Sequence, residues 1–245
     1  MRSYAIGDIH GQLEALRAAH GRIAEDRARS GDDTAPVVHL GDLVDRGPDS
    51  AGVIDYLVKG QAGGAPWIVL MGNHDQIFRA VLRAGVGQGD LPDFARAWTS
   101  AGMGGLETLS SYGVRPGFLS RPAQIARDAA AAVPPGHRAF LEGLPLFHET
   151  EGEIFVHAGL RPGLPLYDQI EEDLLWIRGE FLNDIRDHGR LVVHGHTPVE
   201  EPMHCGNRVN LDTGAGFGRP LTAAVIEDGA VFVLTNEGRV PLEAP

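Results

Sequence analysis

The feature that most restricts this 245-residue chain is a pattern met five times: an apolar run that reads as a strand and ends on glycine beside Asp, Asn or His. The five are Gly7-Asp8-Ile9-His10-Gly11, Gly41-Asp42-Leu43-Val44-Asp45-Arg46-Gly47, Gly72-Asn73-His74-Asp75, His157-Ala158-Gly159 and Gly195-His196-Thr197. Polar side chains are costly at the ends of buried strands unless something pairs them. Glycine there permits a sharp turn or a close approach of backbone to a bound group. Asp8 and His10 are two positions apart, so on extended backbone their side chains point the same way. A single Gly-Asp is a turn signal. Five such clusters in order, each at a strand end, predict strands whose ends converge on one site.

Strands are expected at 2–7, 36–42 and 67–75. Helices should follow them at about Leu13 to Arg29, from Asp49 or Ser50 through Val58, and over Gln76–Ala84. From about Gly85 to Pro145, Gly and Pro are frequent and the apolar spacing is helical around Phe94–Tyr112 and Ala123–Val133. That stretch reads as a helical insertion, because about 60 residues with few large aliphatics make a thin core. Strands resume at 153–159, 191–197, 208–214, 221–228 and 230–236, the last two joined by the hairpin signal Asp228-Gly229. The expectation is one α/β domain, 1–245, carrying an insertion at about 85–145.

Lys plus Arg is 21 and Asp plus Glu is 33, a net charge of −12. This argues against a broad nucleic-acid or anionic-membrane surface, although bound cations can reverse the field locally around an anionic substrate. Cys205 is the single cysteine, which excludes an intrachain disulfide and a Cys-built zinc site. No stretch approaches the roughly 18 apolar residues of a membrane span. MRSYAIGDIHG enters a strand without an apolar signal region, so the cytoplasm is the expected location.

With its five clusters in this order, the chain resembles the calcineurin-like metallophosphoesterase superfamily, whose pattern runs GDxHG, GDxxDRG, GNHD/E, a histidine before Ala or Gly, and a late GH. The resemblance covers residues 4 to about 228, tightest in the motif loops and loosest in the insertion. It implies a four-layer α/β/β/α sandwich, two mixed sheets flanked by helices. It implies two divalent metal ions, Mn²⁺ first, with Fe or Zn²⁺ equally suited to oxygen and nitrogen donors. Asp8, His10 and a bridging Asp42 would hold one ion; Asp42, Asn73, His157 and His196 would hold the other. Such a pair, ~3.5–4 Å apart, brings the pKa of bound water towards ~7, and the resulting hydroxide is the expected nucleophile. By the same resemblance His74 is the general acid and Asp45 its charge partner. Arg46 grips the phosphate with its planar fork. Arg178, in Asp173-Leu-Leu-Trp-Ile-Arg178, is a second phosphate-binding arginine.

The expected activity is that of a phosphomonoesterase like the bacterial serine/threonine protein phosphatases, since Asp45-Arg46-Gly47 supplies the His-activating aspartate of that branch. The alternative is a symmetrical bis(5'-nucleosyl)-tetraphosphatase, which splits diadenosine tetraphosphate into two ADP. A non-catalytic scaffold is the third reading, opposed by the retention of every ligand position and of His74. The implied partners are a phosphorylated protein, a small phosphate ester or a dinucleotide. The run Gly214-Ala-Gly216-Phe-Gly218 fails the dinucleotide fingerprint and reads as a tight loop that brings backbone near the metal centre.

Overall fold

In the computed structural model, which describes residues 2–88, 95–99, 102–117 and 119–245, the two-residue alternation of the strands decides the layering. In chain order the elements are β1 (Arg2–Ile6), α1 (Leu13–Ser30), β2 (Val37–His39), α2 (Ser50–Ala62), β3 (Trp67–Val69) and α3 (Asn73–Gly85). The insertion supplies α4 (Ala95–Trp98), α5 (Gly105–Ser111), α6 (Pro122–Ala132) and α7 (Pro135–Glu142). Then come β4 (Phe147–Glu149), β5 (Glu153–Val156), α8 (Glu171–Trp176), α9 (Gly179–Leu182), β6 (Leu191–His194), β7 (Met203–His204) and β8 (Arg208–Asn210). The chain closes with β9 (Ala223–Glu227), β10 (Ala230–Thr235) and β11 (Gly238–Pro241).

One sheet runs β11-β10-β9-β1-β2-β3 and the other β4-β5-β6-β8-β7. Within each, three neighbouring strands are parallel: β1, β2 and β3 in the first, β5, β6 and β8 in the second. Ala5, Val38, Ala224 and Ile226 of the first sheet meet Phe155, Val193 and Val209 of the second in one apolar cluster. Their sequence neighbours Tyr4, Ile6, Val37 and Val225 join Leu16, Ile23, Val53, Leu57 and Phe78 of α1, α2 and α3 in another. On the second sheet's far side, Ile154, Val156 and Val192 pack with Leu174 and Phe181 of α8 and α9. Helix, sheet, sheet, helix is the four-layer sandwich the resemblance implied.

Asp49 caps α2, its Oδ1 accepting the Gly52 N–H at 2.8 Å. Helix α3 begins at Asn73, three residues before the expected Gln76, because the Asp75 carboxylate accepts the Gly72 N–H at 2.9 Å and closes the first turn inside the motif. Asp228 (φ 50°) and Gly229 (φ 83°) form the left-handed pair that turns β9 into β10. In the insertion, Phe94 lies outside the described residues, and the helical stretch expected around it is broken into α4 and α5. Trp98, Leu109, Ile125 and Ala129 share the buried cluster of the helices on the first sheet.

Candidate active site

The five motif loops all leave the carboxyl ends of parallel strands, β1, β2 and β3 from one sheet and β5 and β6 from the other. Among the described residues, six other than glycine have positive φ, and five of them are His10, Asp42, Asp45, Arg46 and His196. Left-handed backbone is unfavourable for such side chains, so its concentration here marks loops held in place by their surroundings. The loops touch through backbone. A Cβ on Gly72 would lie 2.1 Å from the Asp42 nitrogen, and one on Gly195 would lie 2.0 Å from Asp8 Oδ1. Carboxylates lace them together: Asp42 Oδ1 accepts the His74 N–H at 2.9 Å, Asp8 Oδ2 the His196 N–H at 3.0 Å and Asp75 Oδ1 the Leu43 N–H at 2.9 Å.

Asp42 stands between two sets of donors. Its Oδ2 is 3.4 Å from His10 Nε2 and its Oδ1 is 3.4 Å from His157 Nε2. Ligand atoms of Asp8, Asp42 and His157 lie within 4.8 Å of one another, as do those of His10, Asp42 and His74. The second grouping includes His74 rather than Asp8 beside His10, a partition the sequence expectation did not have. Asn73 Oδ1 lies 2.9 Å from His157 Nε2 and 2.8 Å from His196 Nδ1. His10 and His157 each turn Nδ1 to a backbone carbonyl, Val44 and Leu40, at 2.8 Å. Donating there leaves their Nε2 lone pairs facing carboxylate or amide oxygens. Lone pairs facing lone pairs suit a cation between them, and this oxygen–nitrogen donor set fits Mn²⁺, Fe or Zn²⁺.

The titration behaviour agrees. Burial pushes His10 down to about 3 and His196 down to about 2, and lowers His157, so these imidazoles are neutral, the form that binds metal. Burial and the charges of Asp212 and Asp42 hold Asp8 far above the usual carboxylate range, and burial pushes Asp212 up to about 6. Burial opposes ionisation of Asp42 too, but the surrounding imidazoles, His157 and His74 foremost, hold it low. Three crowded carboxylates call for positive charge. Asp212, two residues past β8 and within the strand expected at 208–214, was not singled out by the sequence as a site residue; its carboxylate is buried and accepts the Gly214 N–H at 2.9 Å.

His74 Nδ1 is 2.6 Å from Asp45 Oδ2. Burial lowers the His74 pKa, but Asp42 and then Asp45 outweigh it, and the net direction is upward. Asp45 is fully buried, and its remaining lone pairs are taken by the insertion: Trp98 Nε1–H donates to Oδ2 at 2.8 Å and the Thr108 hydroxyl to Oδ1 at 2.7 Å. The Asp45 N–H lies 2.8 Å from Thr108 Oγ1 and 3.1 Å from Ser50 Oγ. Trp98 and Thr108 belong to no motif and nothing in the sequence pattern marks them; Ser50 was marked only as a possible helix cap.

Arg46 reaches over both halves, Nη1 to His10 Nε2 at 2.5 Å and Nη2 to His74 Nε2 at 3.0 Å. Arg178 is exposed and precedes α9; burial first, and the charge of Arg178 only as a lesser cause, lower His157 and His196. His39, away from the motifs, is buried with Nε2 3.0 Å from His20 Nε2. His194 is buried against Phe181, ring centroids 5.1 Å apart. Neither joins the site. A groove of about 570 Å³ lined by Gln76, Arg79, Met103 and Trp176 opens beside it, the Trp176 ring 6.2 Å from that of His196. Among the described residues no helix is long and apolar enough to cross a membrane.

A family model described as calcineurin-like phosphoesterase matches residues 1–223. Curated relatives include the bis(5'-nucleosyl)-tetraphosphatase PrpE (asymmetrical) of Bacillus subtilis strain 168, 28% identical over 237 residues, covering 89% of this chain and 87% of that one. The protein of the same name from Geobacillus thermodenitrificans strain NG80-2 is 30% identical over 240 residues with the same coverage. Among solved structures, a cold-active protein tyrosine phosphatase shares the fold, with a TM-score of 0.65 at 17% identity over 99% of this chain and 79% of that one.

Proposed function

The chain belongs to the calcineurin-like phosphoesterase family, phosphoric ester hydrolases with a dinuclear divalent metal centre, and within it we propose a dinucleoside tetraphosphatase that cleaves unequally, to a nucleoside triphosphate and a monophosphate. One observation carries this reading: relatives of that printed name match over nearly nine-tenths of both chains. The proposal reverses the order expected from Asp45 alone, which favoured a protein phosphatase, and it replaces the symmetrical reaction by the asymmetrical one.

The gathering of these side chains around Asp42 supports the following division of work. Asp8, His10 and Asp42 would hold one ion and Asp42, Asn73, His157 and His196 the other, with Mn²⁺ proposed as the native metal. When bound, the two ions lower the pKa of water and stabilise charge on phosphate oxygens. Arg46 and Arg178 bind non-bridging oxygens and fix the phosphorus in line. His74, its pKa raised by Asp42 and Asp45 against burial, would carry a proton on Nε2 and give it to the departing oxygen once Arg46 Nη2 has turned from Nε2 to the phosphate. Trp98 and Thr108 hold Asp45 at the one orientation in which it faces His74.

The test compares initial rates of the Mn²⁺-loaded protein on diadenosine tetraphosphate and on phosphoserine and phosphotyrosine peptides, with separation of the nucleotide products. ATP plus AMP, at a kcat/KM well above that for any phosphopeptide, is the expected result. Two ADP would restore the symmetrical reaction. Preference for a phosphopeptide would restore the protein phosphatase, the second reading, which the Asp45–His74 pair favours.

A further inference from the structure

Phe217 has a position that the proposed chemistry leaves unused. It is 58% exposed, and the guanidinium carbon of Arg46 lies 4.7 Å from the centroid of its ring. A scattered exposed aromatic needs no explanation. This one is anchored. It ends the 3₁₀ turn Ala215–Phe217 between Gly214 (φ 80°) and Gly218 (φ 79°). The turn is pressed onto the site, since a Cβ on Gly216 would lie 2.6 Å from His10 Cδ2 and 2.9 Å from Arg46 Cδ. Asp212 accepts the Gly214 N–H at 2.9 Å, and the Gln12 side chain donates to the Ala215 carbonyl at 3.3 Å. Backbone contacts, not burial, hold the ring at the edge of the site.

We propose that Phe217 is a stacking platform for a nucleobase of the substrate whose phosphates Arg46 holds, and so a specificity-determining residue. The inference rests on the dinucleotide reading above. A planar cation beside an exposed aromatic ring matches the two ends of a nucleotide: the fork takes phosphate oxygens and the π-face takes the base. The Arg46 contact is itself a cation–π pair, which fixes the arginine and the ring relative to each other. Because every base has a π-face, the platform tolerates purines and pyrimidines alike. A phosphoserine side chain offers it nothing to stack.

The test is titration calorimetry of the Mn²⁺-loaded full chain with ADP and with pyrophosphate, which share the diphosphate and differ by adenosine. Wild type should bind ADP more tightly. Phe217→Leu keeps an apolar side chain over Arg46 without a π-face; it should weaken ADP roughly 5- to 150-fold, the range found for removing one base–aromatic stack, and weaken pyrophosphate far less, through the lost cation–π pair alone. Phe217→Trp should retain ADP binding. Equal weakening of both ligands by Phe217→Leu, or unchanged ADP binding, would overturn the platform. The underlying reading is judged separately, by wild-type turnover: no hydrolysis of diadenosine tetraphosphate together with an intact, Phe217-dependent preference for ADP would remove that substrate and keep the platform.

Discussion

Asp45 and Asp26 are both buried carboxylates satisfied by three side-chain bonds, one in the active site and the other in the fourth turn of α1, about 20 Å along that helix from its start beside the site. Asp45 takes its bonds from His74, Trp98 and Thr108. Asp26 takes one from the Tyr4 hydroxyl at 2.9 Å and two from Arg239, Nε to Oδ1 at 2.7 Å and Nη2 to Oδ2 at 2.8 Å. Burial pushes both pKa values up. The Arg239 fork and Tyr4 bring Asp26 back below the usual carboxylate range, whereas Asp45 stays above it despite its three donors. The number of hydrogen bonds therefore does not decide the outcome. A guanidinium keeps its charge at any working pH, and an imidazole does not. The first partner makes a fixed brace; the second makes a pair whose charge can change near neutral pH, as the proposed acid requires.

The comparison is broken most directly at Asp45. Asp45→Asn should lower kcat by about 10²- to 10⁴-fold, the range for losing a general acid, with metal content unchanged. His74→Asn should do the same, and the double variant should be little worse than either, because the two act as a unit. Turnover and elemental analysis check this, and a kcat loss no larger than that of Asp26→Asn would end the distinction. Asp26→Ala should leave kcat alone and lower the unfolding free energy by about 1.5–3 kcal/mol, as for bonds to a charged group. The Arg239 side chain is 25% exposed, so the lower end is expected in urea titration.

Smaller changes sharpen the contrast. Trp98→Phe and Thr108→Val each remove one donor to Asp45, and each should cost roughly 2- to 12-fold in kcat, a typical net hydrogen bond. In an Asp45→Asn background neither should cost more, which steady-state rates of the double variants will read. The smallest effect is on acid stability. Asp26 has a folded pKa below its unfolded value of about 3.9, so its contribution is present above that value and is lost as pH falls through the folded pKa. The stability gap between wild type and Asp26→Asn should close below about pH 4, and a gap constant down to pH 3 would remove the ion pair as its source.

The sequence marked most of the residues that the fold gathers around Asp42, and few of those that support them. Glycines and polar residues at the ends of apolar strands mark Asp8, Asp42, Asn73, His157 and His196 because polarity there contradicts burial. Trp98 and Thr108 leave no such trace. A tryptophan and a threonine in a helical stretch look like ordinary core and surface, and their partner Asp45 lies 53 and 63 residues away. The layering was expected only through the family resemblance, because β1, β2, β5, β6 and β9 are buried on both faces and read as continuous apolar runs. The strands β4, β7 and β11 have only three, two and four residues, too short for any period to register, and owe their form to the neighbours they pair with. The early start of α3 was missed because Asn73 and His74 were read as loop residues, while the Asp75 cap winds them into the first turn.

The first sheet pairs β1 with β2 on one side and on the other with β9, whose Glu227 sits opposite Arg2. Asp8 accepts from the backbone of His196, 188 residues further on. Ribosomal synthesis delivers the first of these segments before the second, so a nascent product stalled at residue 190 has neither the fifth loop nor the strand that clamps β1. The site therefore forms only after both distant segments are in place, a long-range closure of the kind that slows folding.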